Sequence, residues 1–149
     1  MAASLIAQAI GLLARREYAR AELEHRLLAK GWDRAEVSAA LDDLTARGYL
    51  SDVRYAHAHA AQRAGRYSGR RIAQELKAKG VARSDIETAL AGAGIDDDAA
   101  LRALWCRRFG TPAANEREKA RQIRFLQARG FALSAILRFL RGAAEGEDP

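Results

Sequence analysis

Two groups of arginines are the residues of this sequence whose types and spacing could do chemistry. The first runs from Arg63 through Arg66, Tyr67, Arg70 and Arg71 to Lys77 and Lys79. Bases interleaved with an aromatic ring suit contact with phosphates or carboxylates rather than bond-making. Several of them fall on a turn and at a predicted helix start, where the helix dipole disfavours positive charge. Something other than local stability is expected to keep them there. The second group is Arg117, Arg121 and Arg124, spaced i, i+4, i+7 and so forming one stripe on a helix. Catalytic constellations are missing. His57 and His59 stand two apart, on different sides of a helix, where a zinc pair would stand three or four apart. They and His25 are expected as polar surface residues. Cys106 has no histidine nearby in sequence to activate it and is expected as a buried or half-buried thiol. Asp96, Asp97 and Asp98 read as an acidic helix start rather than a metal site. No catalytic residue, metal or cofactor is predicted.

The elements that carry these residues follow from an internal repeat. Leu23–Leu41, Ile72–Leu90 and Gln122–Leu140 align without gaps around Gly31, Gly80 and Gly130. A base precedes each glycine (Lys30, Lys79, Arg129) and a large apolar residue follows it (Trp32, Val81, Phe131). A base in the last turn favours the negative end of the helix dipole, and the glycine reads as a left-handed stop of the Schellman kind. A second helix then opens, with capping-box spacing at Asp33-x-x-Glu36 and Ser84-x-x-Glu87 and with Ser134 placed to cap the third. A further helix precedes each pair. The first spans roughly Ser4 to Arg16, with Ile6, Ile10 and Leu13 as its apolar stripe. The next runs from Ser51 or Asp52 through Val53, Ala56 and Ala60 to Gly65. The last starts at the aspartates, with Leu101, Leu104, Trp105 and Phe109 as its stripe, and ends at Gly110-Thr111-Pro112. The box Asn115-x-x-Glu118 opens the helix after it.

The predicted fold is therefore all-α. Three tandem three-helix, helix-turn-helix-like repeats at 1–50, 51–95 and 96–141 form an elongated, curved body, followed by an acidic tail at 142–149. Composition agrees: 34 Ala and 17 Leu stand against 3 Val, 7 Ile and 3 Thr in 149 residues, which starves a sheet of its preferred formers. No stretch approaches the roughly 18 uncharged apolar residues of a membrane span, and a lone cysteine fits a reducing cytoplasm. Without a long heptad run, a monomer is expected. The net charge of +6 is uneven: the first repeat is neutral, the second and third carry the basic excess, and the tail is acidic. That distribution points to a nucleic acid or an acidic protein partner.

The stretch Gly48-Tyr49-Leu50-Ser51-Asp52-Val53-Arg54-Tyr55-Ala56, followed by Arg63, Gly69, Ile72, Glu75-Leu76 and Lys79-Gly80-Val81, resembles the RecX family pattern GYLDDxRFA, an Arg, then GxxxIxxELxxKGI. Arg16-Glu17-Tyr18, with Arg20, Glu22, Leu23 and Leu27, is similar to its first-repeat motif. Lys119, Ile123, Phe125, Leu126, Arg129, Gly130 and Phe131 are similar to its third. Ser51 stands where the family usually has Asp and remains a competent N-cap. Ala19 stands where it usually has Ser, which removes a side-chain cap worth roughly 1 kcal/mol. The resemblance implies a non-enzymatic regulator, mostly an inhibitor, of the RecA recombinase. Such a protein lodges on the RecA–DNA filament and damps recombination, co-protease activity and the SOS response. The RecA- or DNA-facing surface is expected at Arg63, Arg66, Tyr67, Arg70, Arg71, Lys77, Arg117, Arg121 and Arg124.

The competing reading is an independent DNA-binding helical protein. Its reader helix, Ser84–Leu90, offers Asp85 and Glu87 but no Arg, Asn or Gln for base edges, so only weak nonspecific binding to single- or double-stranded DNA is expected of it.

Overall fold

A computed structural model describes residues 4–146. Nine α-helices and no strand occur among the described residues: α1 Leu5–Leu13, α2 Arg20–Ala29, α3 Arg34–Ala46, α4 Asp52–Arg63, α5 Gly69–Ala78, α6 Arg83–Gly92, α7 Asp97–Arg108, α8 Glu116–Ala128 and α9 Leu133–Ala144. Of the acidic tail, residues 147–149 lie outside the described residues.

The middle helix of each group of three stops as its sequence dictates. Gly31, Gly80 and Gly130 have φ of 98°, 83° and 96°. The amides after them, of Trp32, Val81 and Phe131, donate back to the carbonyls of Leu27, Leu76 and Leu126 at 3.4, 3.2 and 3.3 Å. The glycine amides donate to Leu28, Lys77 and Gln127, completing the Schellman pattern. The next helix opens two residues after each glycine. There the carbonyls of Asp33, Ala82 and Ala132 accept the first helical bonds. Only Asp33 adds a side-chain cap, to the Ala35 and Glu36 amides. Ser84 and Ser134, expected as caps, both lie inside the first turn, and α9 has no side-chain cap. Those serines stand four residues after the glycine, whereas the backbone leaves its turn at the second.

The chain divides into two compact units, residues 1–59 with 75–89, and residues 60–74 with 90–149. In the first, Leu23, Leu27, Val37, Leu41, Leu44 and Leu50 form the centre of the core. Helix α1 presents Leu5, Ala9 and Leu12 to it; the expected stripe of Ile6, Ile10 and Leu13 sits on the flanks, partly buried. The shift of one position turns α1 by one residue's rotation and brings Gln8 under the Trp32 indole, whose Nε1 donates to it at 3.1 Å. On α4, Ala56 and Ala60 are buried and Val53 is exposed. The loss of a cap at Ala19 is met from elsewhere: the Asp52 carboxylate accepts the Arg20 amide at 2.7 Å.

Glu22 ties this unit together. Its carboxylate accepts two hydrogen bonds from Arg16 at 3.2 and 3.0 Å and one from Lys79 at 3.0 Å. Burial works to raise its pKa, but the Arg16 and Lys79 hydrogen bonds outweigh it, and the pKa lies below the ordinary value. A carboxylate with a depressed folded pKa stabilises above its unfolded pKa and loses that contribution as pH falls through the folded value. Glu22→Gln is therefore expected to destabilise the protein at pH 7 and to cost less at pH 3. Urea unfolding at both pH values tests this, and an equal difference at both would contradict it.

In the second unit, Leu101, Leu104, Trp105, Leu126, Phe131, Ile136 and Leu140 are packed together. The buried Trp105 indole donates to Gln122 Oε1 at 2.9 Å, and Phe139 meets Trp105 edge-on. The expected α7 stripe holds, with Phe109 partly buried. Cys106 departs from expectation: it is exposed, because Leu101, Leu104 and Trp105 take the inward positions and turn it outward. Asn115 and Glu118 cap the α8 start as a box, accepting the Glu118 and Ala114 amides at 2.9 and 2.8 Å.

Candidate basic and aromatic binding surface

The turn that ends α4 and the start of α5 place Tyr67 half-buried in the second unit, under three guanidinium groups. Arg63, Arg71 and Arg129 stand 4.6, 5.1 and 5.1 Å from its ring centre. Arg129 also lies 5.2 Å from the Phe125 ring, and Arg108 lies 5.6 Å from Phe125 and 5.8 Å from Phe109. The two phenylalanines meet edge-to-face at 5.5 Å. Each guanidinium over a ring gains roughly 0.5–1 kcal/mol at an exposed site, which offsets part of the repulsion between neighbouring arginines. Beside this ladder Arg66, Leu104, Arg107, Arg108, Phe125 and Arg129 line an open concavity of about 620 Å³. Among the described residues, none of these four arginines pairs with a carboxylate. Arg108 and Arg129, held in place by rings and paired with no carboxylate among the described residues, suit an anionic surface, bound through forked hydrogen bonds.

The expected site residues divide. Arg63, Tyr67 and Arg71 come together, and Arg66 faces the concavity. Arg117, Arg121 and Arg124 line a second concavity of about 430 Å³ with Asn115 and Glu118. Arg70 and Lys77 are exposed and line neither concavity; Lys77 belongs to the first unit. Arg71 has a local reason to sit near a helix start after all. Its Nη1 donates to the Ala128 carbonyl in the last turn of α8, the negative end of another helix's dipole. Sequence reasoning missed Arg107, Arg108 and Phe125, and took Arg129 for a helix-stop base alone. The clue was Arg107-Arg108-Phe109, three residues at one helix end in the basic third of the chain.

Most residues of the family-like motif do structural work. Leu50, Tyr55 and Leu76 are buried. Arg54 bridges Glu17 and the Tyr49 carbonyl, while Lys79 holds Glu22. His59, expected on the surface, is largely buried: it stacks on Tyr55 and meets Glu75 at 2.9 Å. The Gly69 amide donates to Asp97 at 2.7 Å, so that aspartate closes the α5 start as well as opening α7. Tyr49 is the exception, 46% exposed beside Arg47. Among the described residues no cluster of His, Cys, Asp and Glu could hold a metal ion, and no helix is long and apolar enough to cross a membrane.

The charge follows the compact units. Counted over the sequence, the first unit holds 11 Lys and Arg against 11 Asp and Glu, and the second 14 against 8, so the whole excess lies in the unit that carries both concavities.

Family models match nearly the whole length: the RecX first three-helix domain over residues 6–44, the second over 51–90 and the third over 96–140. The chain is 43% identical over 145 residues to the regulatory protein RecX of Leptothrix cholodnii, covering 97% of this chain and 92% of that protein. It is 42% identical over 144 residues to the regulatory protein RecX of Chromobacterium violaceum, covering 97% and 93%. The crystal structure of RecX from Lactobacillus salivarius superposes with a TM-score of 0.70 over 94% of each chain, at 16% identity, so the fold is shared.

Proposed function

The chain belongs to the RecX family of regulatory proteins, and from that premise we propose that it binds the RecA–DNA filament and inhibits RecA. In this reading it acts in the cytoplasm, free of metal and cofactor and without catalysis, and damps recombination, RecA co-protease activity and the SOS response. The observation that carries the reading is the arginine surface of the second unit, Arg66, Arg107, Arg108 and Arg129 beside Phe125 and Tyr67, which pairs with no carboxylate among the described residues. A filament of protein wound on DNA presents phosphates and acidic side chains together, the two groups that guanidinium binds in forked pairs. Arg63, Arg70, Arg71, Arg117, Arg121, Arg124 and Lys77 add positive charge around it, and weak nonspecific binding to DNA alone follows from the same charges. Leading contact through a neutral first unit would leave that charge unused.

The test is RecA-dependent ATP hydrolysis on single-stranded DNA with increasing amounts of this protein. Inhibition is expected. A fall at substoichiometric amounts indicates capping of filament ends, and a fall only near saturation indicates occupation along the filament. Unchanged hydrolysis while the protein is bound to the same DNA would overturn the reading in favour of an independent DNA-binding protein.

A further inference from the structure

A partly enclosed chamber of about 360 Å³ lies in the second unit and shares no lining residue with either arginine concavity. The RecA reading makes no use of it. Three segments wall it: the turn after α7 with Pro112 and Ala113, helix α8 with Lys119 and Gln122, and helix α9. From α9 come Leu137, Leu140, Arg141 and Ala144, spaced i, i+3, i+4, i+7 and so on one side of that helix. Trp105 and Leu140, both buried, form the floor. Protein interiors are packed as closely as organic crystals. Here Ala113, Ala143 and Ala144 leave room beside Trp105, the largest fully buried side chain.

The polar groups around the chamber are of two kinds. Gln122 is engaged within the unit: its Oε1 accepts the Trp105 indole N–H at 2.9 Å, and its Nε2 donates to the Thr111 carbonyl at 3.3 Å. Lys119 and Arg141 are exposed, and among the described residues neither pairs with a carboxylate. No Asp or Glu lines the chamber, and Glu118, next to Lys119, accepts the Ala114 amide instead. Arg141 stands in the last turn of α9, where the negative end of the helix favours a base. Lys119 has no such reason, because it stands near the start of α8, where the dipole disfavours a cation. The lining side chains therefore offer apolar walls and two cations, with no free hydroxyl or amide.

We infer that the chamber binds a small organic acid with an apolar body and one carboxylate. The body lies on Trp105, Leu137 and Leu140, and the carboxylate is held by Lys119 and Arg141 through charge-assisted hydrogen bonds. Burial of the body removes apolar surface of both ligand and chamber from water. The two cations set the sign of the ligand. A volume of about 360 Å³ falls at the small end of the range for small-molecule sites, roughly 300–1,000 Å³. A peptide in the same place would set its main-chain N–H and C=O groups against walls that cannot pair them, which disfavours that occupant.

The inference stands apart from the RecA reading and is tested without RecA. Trp32→Phe leaves Trp105 as the only indole, and its fluorescence is followed while octanoate or hydrocinnamate is added. A saturable change is expected with both acids and none with acetate, which lacks the apolar body. Octanol, which lacks the charge, should bind at least about tenfold more weakly than octanoate, and Lys119→Met with Arg141→Met should weaken octanoate by as much. Ala144→Leu, which fills the space, should weaken it too, and the thermal midpoint should stay unchanged in every variant. Calorimetry with octanoate on the unaltered chain repeats the measurement independently of the Trp32 change. No saturable binding of either acid, or equal binding of octanol, would overturn the inference. So would tighter binding of a short acetylated peptide ending in leucine, which would give the chamber to a protein partner. Binding found only in a chain cut after Gly146 would give it to the chain's own end, with the same consequence.

Discussion

Gly130→Ala and Gly80→Ala are expected to destabilise the protein well beyond Gly31→Ala, although the three glycines share one backbone conformation. All three substitutions place a side chain at positive φ, which costs roughly 1–2 kcal/mol. At Gly31 that is the whole cost, because an added Cβ enters open space. At Gly80 it meets the Ala21 Cβ at 2.8 Å, and at Gly130 it meets the Arg71 Cβ and the Ser68 hydroxyl at 2.5 Å. The Ala21 and Arg71 Cβ atoms are fixed to their backbone, so backbone has to move. Overpacking of this kind adds roughly 1–3 kcal/mol. At roughly 2–4 °C per kcal/mol for a chain of this size, the Gly80 and Gly130 variants should melt several degrees below the Gly31 variant. Valine at Gly80 or Gly130 adds a β-branch at positive φ and should lower the midpoint further, while the exposed Gln74→Ala should leave it almost unchanged. Equal midpoints for the three alanine variants would show that these contacts do not bear on the glycines.

The glycine stops, the helix count and the order of elements were legible because they are local. Spacing, a base and an apolar residue around each glycine fix a Schellman turn without reference to the rest of the chain. What joins one group of helices to the next was not legible. Asp52 capping α2 across 32 residues, Asp97 capping α5 across 28, and Arg71 reaching Ala128 across 57 are pairings between distant segments. No spacing rule encodes them. For the same reason Arg71 looked misplaced at a helix start. The surface was half legible: the run from Arg63 to Arg71 announced itself by composition, whereas Arg107, Arg108, Phe125 and Arg129 come from two helices that only folding brings to the same concavity. Cys106 was misjudged because a thiol one position off the buried face looks, in sequence, like part of it.

The second large effect is expected at that surface. Arg66, Arg70, Arg107 and Arg108 are exposed and lie in the unit that holds the whole charge excess. Arg71 and Arg129 are left in place because they hydrogen-bond backbone carbonyls and hold Tyr67. Replacing the four exposed arginines by Ala removes long-range attraction and forked hydrogen bonds together. Every phosphate left without its arginine weakens binding and flattens its salt dependence. A fall in filament inhibition of at least about tenfold is expected at moderate salt, equivalent to only about 1.4 kcal/mol spread over four charges. The thermal midpoint should hardly move, since exposed substitutions usually change stability by no more than about 0.5 kcal/mol.

The charge-matched control lies in the neutral unit: Arg15, Arg26, Arg34 and Arg47, all exposed, replaced together by Ala. Two of these pair with Glu24 and Asp43, but exposed ion pairs contribute little to stability. The direct measurement is inhibition of RecA-dependent ATP hydrolysis on single-stranded DNA by the unaltered protein and by both fourfold variants, at one ionic strength. The second-unit variant should lose most of its inhibition and the first-unit variant should keep most of it. Equal losses would mean that any four positive charges serve as well, and the claim of a placed arginine surface would fail.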